Sequence, residues 1–288
     1  MDAGYAGRTV VKDITVEFPS GCVTSILGKN GCGKSTLLKT AARQMKPMGG
    51  QILLDGRDIY TIPPKEFARN ASVLPQSREI PSISAHALVL HGRFPYLGFP
   101  RRPSPQDLEI VEKAMHDAGA WEYREKSLSQ LSGGERQKVY LAMVLAQDTD
   151  VIFMDEPATY LDISHQFEIL RLIEALRDSG KTIITVLHDL GQALSVSDQI
   201  LLLENGSAAF FGGPEDLFAS GKLDQVFGIR SHRILLDGTV EYVFRPQTCP
   251  GCSEKHGSRS SATEMSQPSD GTGERESLPV DGGRKTKK

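Results

Sequence analysis

The chain has 288 residues, 39% hydrophobic and 24% charged, with a formal net charge of −3. That composition is ordinary for a globular protein and long enough for one large domain or two smaller ones. It carries no global basic excess, so nucleic acid is not favoured as a partner; no apolar run approaches the roughly 18–20 residues of a membrane span, and no charged segment followed by an apolar stretch marks a secretory signal.

Residues 1–8 contain Tyr5 and two glycines. Thr9 to Phe18 alternates, with Ile14, Val16 and Phe18 on one face, and predicts a strand. Pro19-Ser20-Gly21 turns the chain into the apolar run Cys22 to Leu27. Gly28-Lys29-Asn30-Gly31-Cys32-Gly33-Lys34-Ser35-Thr36 follows, with the spacing G-x-x-x-x-G-K-[ST]. Leu37, Leu38, Ala41, Ala42 and Met45 then recur at helical spacing. Strand, glycine loop and helix in that order predict a phosphate site. Glycines let successive N–H groups converge on one anion, and the helix start adds its positive dipole end. Lys34 can reach β- and γ-phosphates, and the Ser35 hydroxyl can ligate Mg²⁺.

Pro47 and Gly49-Gly50 break the helix; Gln51 to Leu54 with Asp55-Gly56 predicts a hairpin, and Ala71 to Leu74 a short strand ending at Pro75-Gln76. From about Ser77 to Asp148 helical spacing replaces strand patterning: Leu108, Val111, Met115 and Ala118, then Val139, Met143 and Ala146. Between them the proline- and aromatic-rich stretch Arg93 to Pro103 reads as an exposed loop and a contact surface. Val151 to Met154 and Thr182 to Leu187 are buried parallel strands. The helix between them, about Ser164 to Asp178, would bury Phe167, Leu170, Ile173 and Leu176. Gln199 to Leu203, Asn205-Gly206 and Ala208 to Phe211 form a hairpin. Pro214 to Phe227 is helical, and Ile234 to Phe244 gives two short strands around Asp237-Gly238. From Arg245 the chain is polar and reads as disordered. Cys249, Cys252 and His256 in that tail could bind Zn²⁺, but the second ligand pair is absent and a passive tail is favoured. The four cysteines do not form a disulfide framework and read as reduced thiols.

Two further constellations carry chemistry. Val151 to Glu156 is an apolar strand ending in two carboxylates, at the strand end where α/β sheets bind ligands. There Asp155 would hold Mg²⁺, and Glu156 would be free to polarise an attacking water. Leu131-Ser132-Gly133-Gly134-Glu135-Arg136-Gln137 is a second glycine turn opening a helix, so Ser132, Gly133 and Gly134 form a second anion site.

That heptad resembles the signature of ABC ATPases, and the glycine loop and the apolar-D-E-P run stand in the family's order over about residues 1–245. The resemblance implies an α/β P-loop NTPase fold with an inserted α-helical subdomain. The nucleotide core would span about 1–78 and 150–245, the helical subdomain about 79–149, with a disordered polar tail over 246–288. It implies ATP and Mg²⁺ as cofactors, and a head-to-tail dimer sandwiching two ATP molecules between one chain's loop and the other's signature. Tyr5 matches the adenine-stacking aromatic, Gln76 the glutamine that senses Mg²⁺ and the lytic water, Asp162 the dimer-contact aspartate and His188 the γ-phosphate histidine. The first strand usual before that aromatic reads as missing, and the tail as longer than usual. His91 to Tyr96, Arg102-Pro103-Ser104 and Thr159 to Gln166 are similar to the same regions of iron–siderophore, haem and cobalamin importer ATPases. The expected function is therefore the ATPase subunit of a metal-chelate importer, peripheral on the cytoplasmic face of the membrane and bound to a permease. A soluble non-transport ABC ATPase and a non-hydrolysing regulatory cassette are the rivals; the Arg93 to Ser104 resemblance and the presence of Glu156 and His188 argue against them.

Overall fold

The computed structural model describes residues 1–74, 80–159, 161–236 and 238–247. An N-terminal ribbon pairs β1 (Ala3–Tyr5) with β2 (Arg8–Val11) antiparallel. A strand therefore does form at the tyrosine, with Tyr5 as its last residue. The predicted strand Thr9 to Phe18 ends early, at Val11. Asp13 adopts φ 50 and donates its amide to Asp2, while the amides of Lys12 and Ile14 go to Gly206 and Met1, so no ladder continues. The alternation survives as burial: Ile14 is buried, and Val16 and Phe18 are half-buried.

Buried β3 (Val23–Leu27) leads through the glycine loop into α1 (Lys34–Ala41). A small hairpin, β4 (Leu53–Leu54) and β5 (Arg57–Asp58), turns at Asp55-Gly56, both at positive φ. Then come α2 (Pro64–Asn70) and β6 (Ala71–Leu74). The helical region holds α3 (Ala85–His91), α4 (Pro105–Asp117) and α5 (Gly133–Gln147). β7 (Val151–Asp155), α6 (Ile163–Asp178), β8 (Thr182–Val186), α7 (Leu190–Val196) and β9 (Gln199–Glu204) restore the α/β rhythm. β10 (Ser207–Gly212) folds back through Asn205-Gly206; α8 (Pro214–Ser220), α9 (Lys222–Phe227) and the long ribbon β11 (Ile229–Leu236) with β12 (Thr239–Pro246) follow.

The six-stranded sheet runs β10-β9-β3-β8-β7-β6, parallel except for the edge strand β10. Its apolar runs face two cores. Ile152, Met154, Ile183, Ile200 and Leu202 join a cluster that continues through α5, α6 and α7. Phe153, Ile184, Val186, Leu201 and Leu203 join a second cluster with α1 and the N-terminal ribbon. A strand covered on both faces needs no polar alternation, which is why β7 and β8 read as unbroken apolar runs.

Two further expectations are corrected, at Phe167 and over Arg93 to Pro103. Phe167 is 53% exposed, because it lies past the edge of the arc that Ile169, Leu170 and Ile173 bury. Leu108 is likewise exposed although it shares the face of Val111 and Met115, since it lies in the first turn of α4. The stretch Arg93 to Pro103 has no regular helix, as proline dictates, but it is not simply an exposed loop. Arg93 and Leu97 are buried, Tyr96 is half-buried, and only Phe94 and Phe99 stand out among its aromatics.

Candidate functional site

Three adjacent parallel strands, β3, β8 and β7, end on the same edge of the sheet. The first delivers the glycine loop, the second His188 and the third Asp155 and Glu156. Sheet order thus gathers residues far apart in the chain, at the carboxyl ends where such sheets bind ligands. Gln76 follows the next strand, β6, and lies outside the described residues.

The loop closes on its own backbone. Cys32 donates its amide to the Lys29 carbonyl, and Gly33 starts α1 in the left-handed region at φ 108. A Cβ at Gly28 would meet the Leu203 carbonyl oxygen at 2.5 Å, so that glycine is fixed by close approach as well as by φ 148. Lys29, Asn30 and Gly31 face solvent, whereas Lys34 and Thr36 are buried. The Lys34 ammonium folds over the loop, donating to the carbonyls of Gly28 at 2.7 Å and Lys29 at 3.2 Å. Its positive charge therefore rests on the carbonyls of the loop, within the segment that would cradle an oxyanion.

Ser35 Oγ donates to Asp155 Oδ1 at 3.0 Å. The other carboxylate oxygen, Oδ2, is buried without a hydrogen-bond partner, and burial pushes the Asp155 carboxyl above its ordinary range despite the Ser35 bond. An orphaned buried oxygen beside a hydroxyl is a hard-oxygen donor pair that suits Mg²⁺. Next in sequence, Glu156 adopts φ 54, a strained conformation for a side-chain-bearing residue. Its amide donates to the Val186 carbonyl, and its Oε1 lies 2.6 Å from His188 Nε2. The His188 side chain is 47% exposed and the Glu156 side chain 10%, so the histidine covers the carboxylate from the solvent side.

The second glycine turn caps its own helix. Ser132 Oγ accepts from the Glu135 amide, and Glu135 accepts from the Ser132 amide, a reciprocal capping box. Those bonds, with the Ser132 backbone first, hold the Glu135 carboxyl below its ordinary range. Asp162 caps α6 by accepting from the His165 amide, and bonds from that amide, Ser164 and the His165 ring hold its carboxyl low. Ser132 and Gly133 are exposed. Gly134 lines a cavity of about 420 Å³ with His116, Leu141, Leu161 and His165. The cavity at the glycine loop, about 290 Å³, is lined by Gly28, Lys29, Asn30, His188, Leu190 and Phe227. The two cavities share no residue. Tyr5 stands 51% exposed at the end of its ribbon, paired with Arg8, while Val10 and Val11 further along β2 pack on Gly33.

Sequence reasoning missed several supporting residues. Buried Gln137, the last residue of the signature heptad, donates its side-chain amide to the Pro157 carbonyl at 2.5 Å. Lys138 pairs with Glu168 across α5 and α6 at 2.9 Å. Arg93 pairs with Asp107 at 2.9 Å, both largely buried, and also donates to the Ala146 carbonyl. Position in a motif was the only available signal for Gln137 and Arg93; their partners are set by folding.

The ABC transporter family model matches residues 11–159. The iron(3+)-hydroxamate import ATP-binding protein FhuC of Bacillus subtilis is 40% identical over 80% of this chain and 86% of its own. This chain belongs to the ABC transporter family. The ferric enterobactin transport ATP-binding protein FepC of Escherichia coli is 41% identical over 80% of this ABC ATPase and 86% of its own length. The dimeric bacterial ABC transporter cassette MJ0796 superposes with a TM-score of 0.66 at 24% identity, covering 74% of this chain and 95% of that one. The ABC fold accounts for the mixed sheet and the helical region inserted between β6 and β7. Among the described residues of this ABC ATPase, no helix is long and apolar enough to cross a membrane.

Proposed function

We propose that this chain is the ATP-hydrolysing subunit of an importer for ferric siderophores or related metal chelates, acting as a head-to-tail dimer peripheral to the cytoplasmic face of the membrane. The similarity to FhuC and FepC, across most of their length, supports the substrate class. The separation of the two anion turns carries the dimer. The glycine loop lines one cavity and Gly134 of the signature turn another, with no residue in common, which supports a nucleotide enclosed between two chains rather than within one. A second copy, turned head to tail, supplies the missing wall.

Within each site the residues divide the work. Loop amides and Lys34 hold the phosphates, with Asn30, Gly31, Cys32, Gly33 and Thr36 shaping the cradle and Tyr5 offered to the base. Ser35 and Asp155 would hold Mg²⁺, with Gln76 expected to join them; the ion's role is to neutralise charge on the β- and γ-phosphates. Glu156 orients the attacking water and accepts its proton as the water oxygen bonds to the γ-phosphorus, the bond from that phosphorus to the bridging oxygen breaks, and ADP leaves with the electron pair and phosphate as the second product. His188 leaves its contact with Glu156 to donate to a γ-phosphate oxygen. Ser132 and the amides of Gly133 and Gly134 close on the partner's γ-phosphate, and Asp162 contacts the partner near it. Closure and release pass to the permease through the helical region, whose exposed Phe94 and Phe99 offer the contact.

Glu156→Gln tests this reading. It keeps the side chain's shape but cannot accept the proton, so ATP binding persists, turnover is lost, and an ATP-bound dimer accumulates on size-exclusion chromatography. Turnover near the wild-type rate would remove Glu156 from the role.

A further inference from the structure

Gln137 joins two parts of the chain that serve different nucleotides. The residue is 8% exposed and sits just over one helical turn into α5, the helix that Ser132 caps and Gly133 opens. Its side-chain amide donates to the carbonyl of Pro157, the residue after Glu156. The signature turn moves with α5 as one piece: the capping box ties Ser132 to Glu135, and Arg136 donates back to the Leu131 carbonyl. At the other end of the connection, Glu156 is held at φ 54 with its amide on Val186 of β8. Its left-handed turn is thus pinned to the sheet on one side and, through Pro157, to α5 on the other. Any displacement of α5 along this bond re-aims the Glu156 carboxylate.

We infer that Gln137 is a positioning residue that couples the two ATP sites of the dimer. The inference rests on the head-to-tail reading. In that dimer the signature turn of one chain touches the nucleotide held by the partner's loop, whereas Glu156 acts on the nucleotide held by its own loop. The Gln137 to Pro157 bond is a direct link between them inside one chain. Filling the partner's loop draws the signature turn inward, α5 carries Gln137 with it, and the Pro157 carbonyl sets Glu156 for its own nucleotide. A second tie, Lys138 to Glu168, holds α5 against α6 beside this link and does not touch the catalytic strand.

The test uses mixed dimers in which only one Glu156 is active, the other chain carrying Glu156→Gln. Gln137→Met, close to isosteric but without the donor, is placed in the active chain. It is then measured twice, once with the other chain's loop intact and once with that loop disabled by Lys34→Ala. With the other loop able to fill, Gln137→Met is expected to slow turnover about ten-fold or more, as a misplaced catalytic group does. With the other loop disabled, turnover is already low and Gln137→Met is expected to add little, so the two changes are not additive. An equal fold-loss in both backgrounds overturns the coupling and leaves Gln137 as a local support for Glu156; no loss in either overturns it altogether. Gln137→Glu, which sets an acceptor against the Pro157 carbonyl, is the second variant and is expected to lose more. Melting curves of every chain, and ATP binding by the chains with an intact loop, show that the variants fold. Failure of chains with an intact loop to form ATP-dependent dimers would instead remove the head-to-tail reading, a result visible before any rate is measured.

Discussion

Replacing Arg93 with methionine isolates the clamp that shapes the Arg93 to Pro103 loop. The arginine reaches Asp107 at 2.9 Å with both side chains largely buried, donates to the Ala146 carbonyl, and lies 3.9 Å over the Tyr96 ring. Methionine keeps the length and the apolar stem but leaves the Asp107 carboxylate without its cation. Breaking a buried pair from one side costs about 3–5 kcal/mol. Asp107 retains bonds from the Ser104 hydroxyl and amide, so the lower end, about 3 kcal/mol, applies. At ~2–4 °C per kcal/mol for a domain of this size, the melting temperature of the isolated subunit should fall by ~6–12 °C. Arg93→Met with Asp107→Asn should recover at least half of that, because the amide leaves no buried charge. The pH dependence gives a second reading. Burial alone would raise the Asp107 carboxyl, but bonds from Ser104 and Arg93 overcome it and hold the group below its ordinary value. A lowered carboxyl contributes stability that is complete above the ordinary carboxylate range and is lost as pH falls through the folded value. The gap between wild type and Arg93→Met should therefore be widest near neutrality and narrow below about pH 4. Differential scanning calorimetry across that range checks both statements. A variant melting within about 2 °C of wild type, or a gap that does not change with pH, would refute the reasoning.

Mixing Ser132→Arg chains with Lys34→Ala chains gives dimers with one doubly broken site and one intact site. Some ATPase activity should return relative to either parent, and confirmed heterodimers with no recovery would count against a single competent site. Phe94→Ala with Phe99→Ala removes the two exposed aromatics and not the anchoring Tyr96, so folding and ATP binding should be spared while capture by permease-containing membranes weakens by ~2 kcal/mol or more. Normal capture by those membranes would move the contact elsewhere.

Much of the site was legible because its chemistry sits in short contiguous runs: the loop 28–36, the signature 131–137 and the strand end at Asp155-Glu156. Turn residues with a fixed backbone demand were equally readable, as at Asp55-Gly56 and Asn205-Gly206, all four at positive φ. What the sequence did not carry is neighbourhood. Ser35 and Asp155 lie 120 positions apart and meet only because β7 and β3 flank β8. Tyr96 read as a surface aromatic, yet its hydroxyl donates to the Gln147 carbonyl, 51 residues on, at 2.9 Å. Phe167 read as core because helical spacing reports periodicity and not which edge of the stripe the sheet covers. The alternation from Ile14 to Phe18 reported burial correctly and pairing wrongly, since backbone partners such as Gly206 leave no trace in a local pattern.

The continuity of the larger core limits how the helical region can move. Met115, Leu128, Val139 and Leu141 belong to the same buried cluster as Val23, Leu27, Met154 and Ile200 of the sheet. Lifting α4 and α5 away from the sheet would open apolar surface to water at roughly 25 cal/mol per Å², whereas sliding them along it keeps that surface covered. The permitted motion is shear, in small steps over a packed interface, and not the swing of a hinged lid. The 2.5 Å hydrogen bond from Gln137 to Pro157 has only about 1 Å of slack before it breaks, so Pro157 has to follow such sliding.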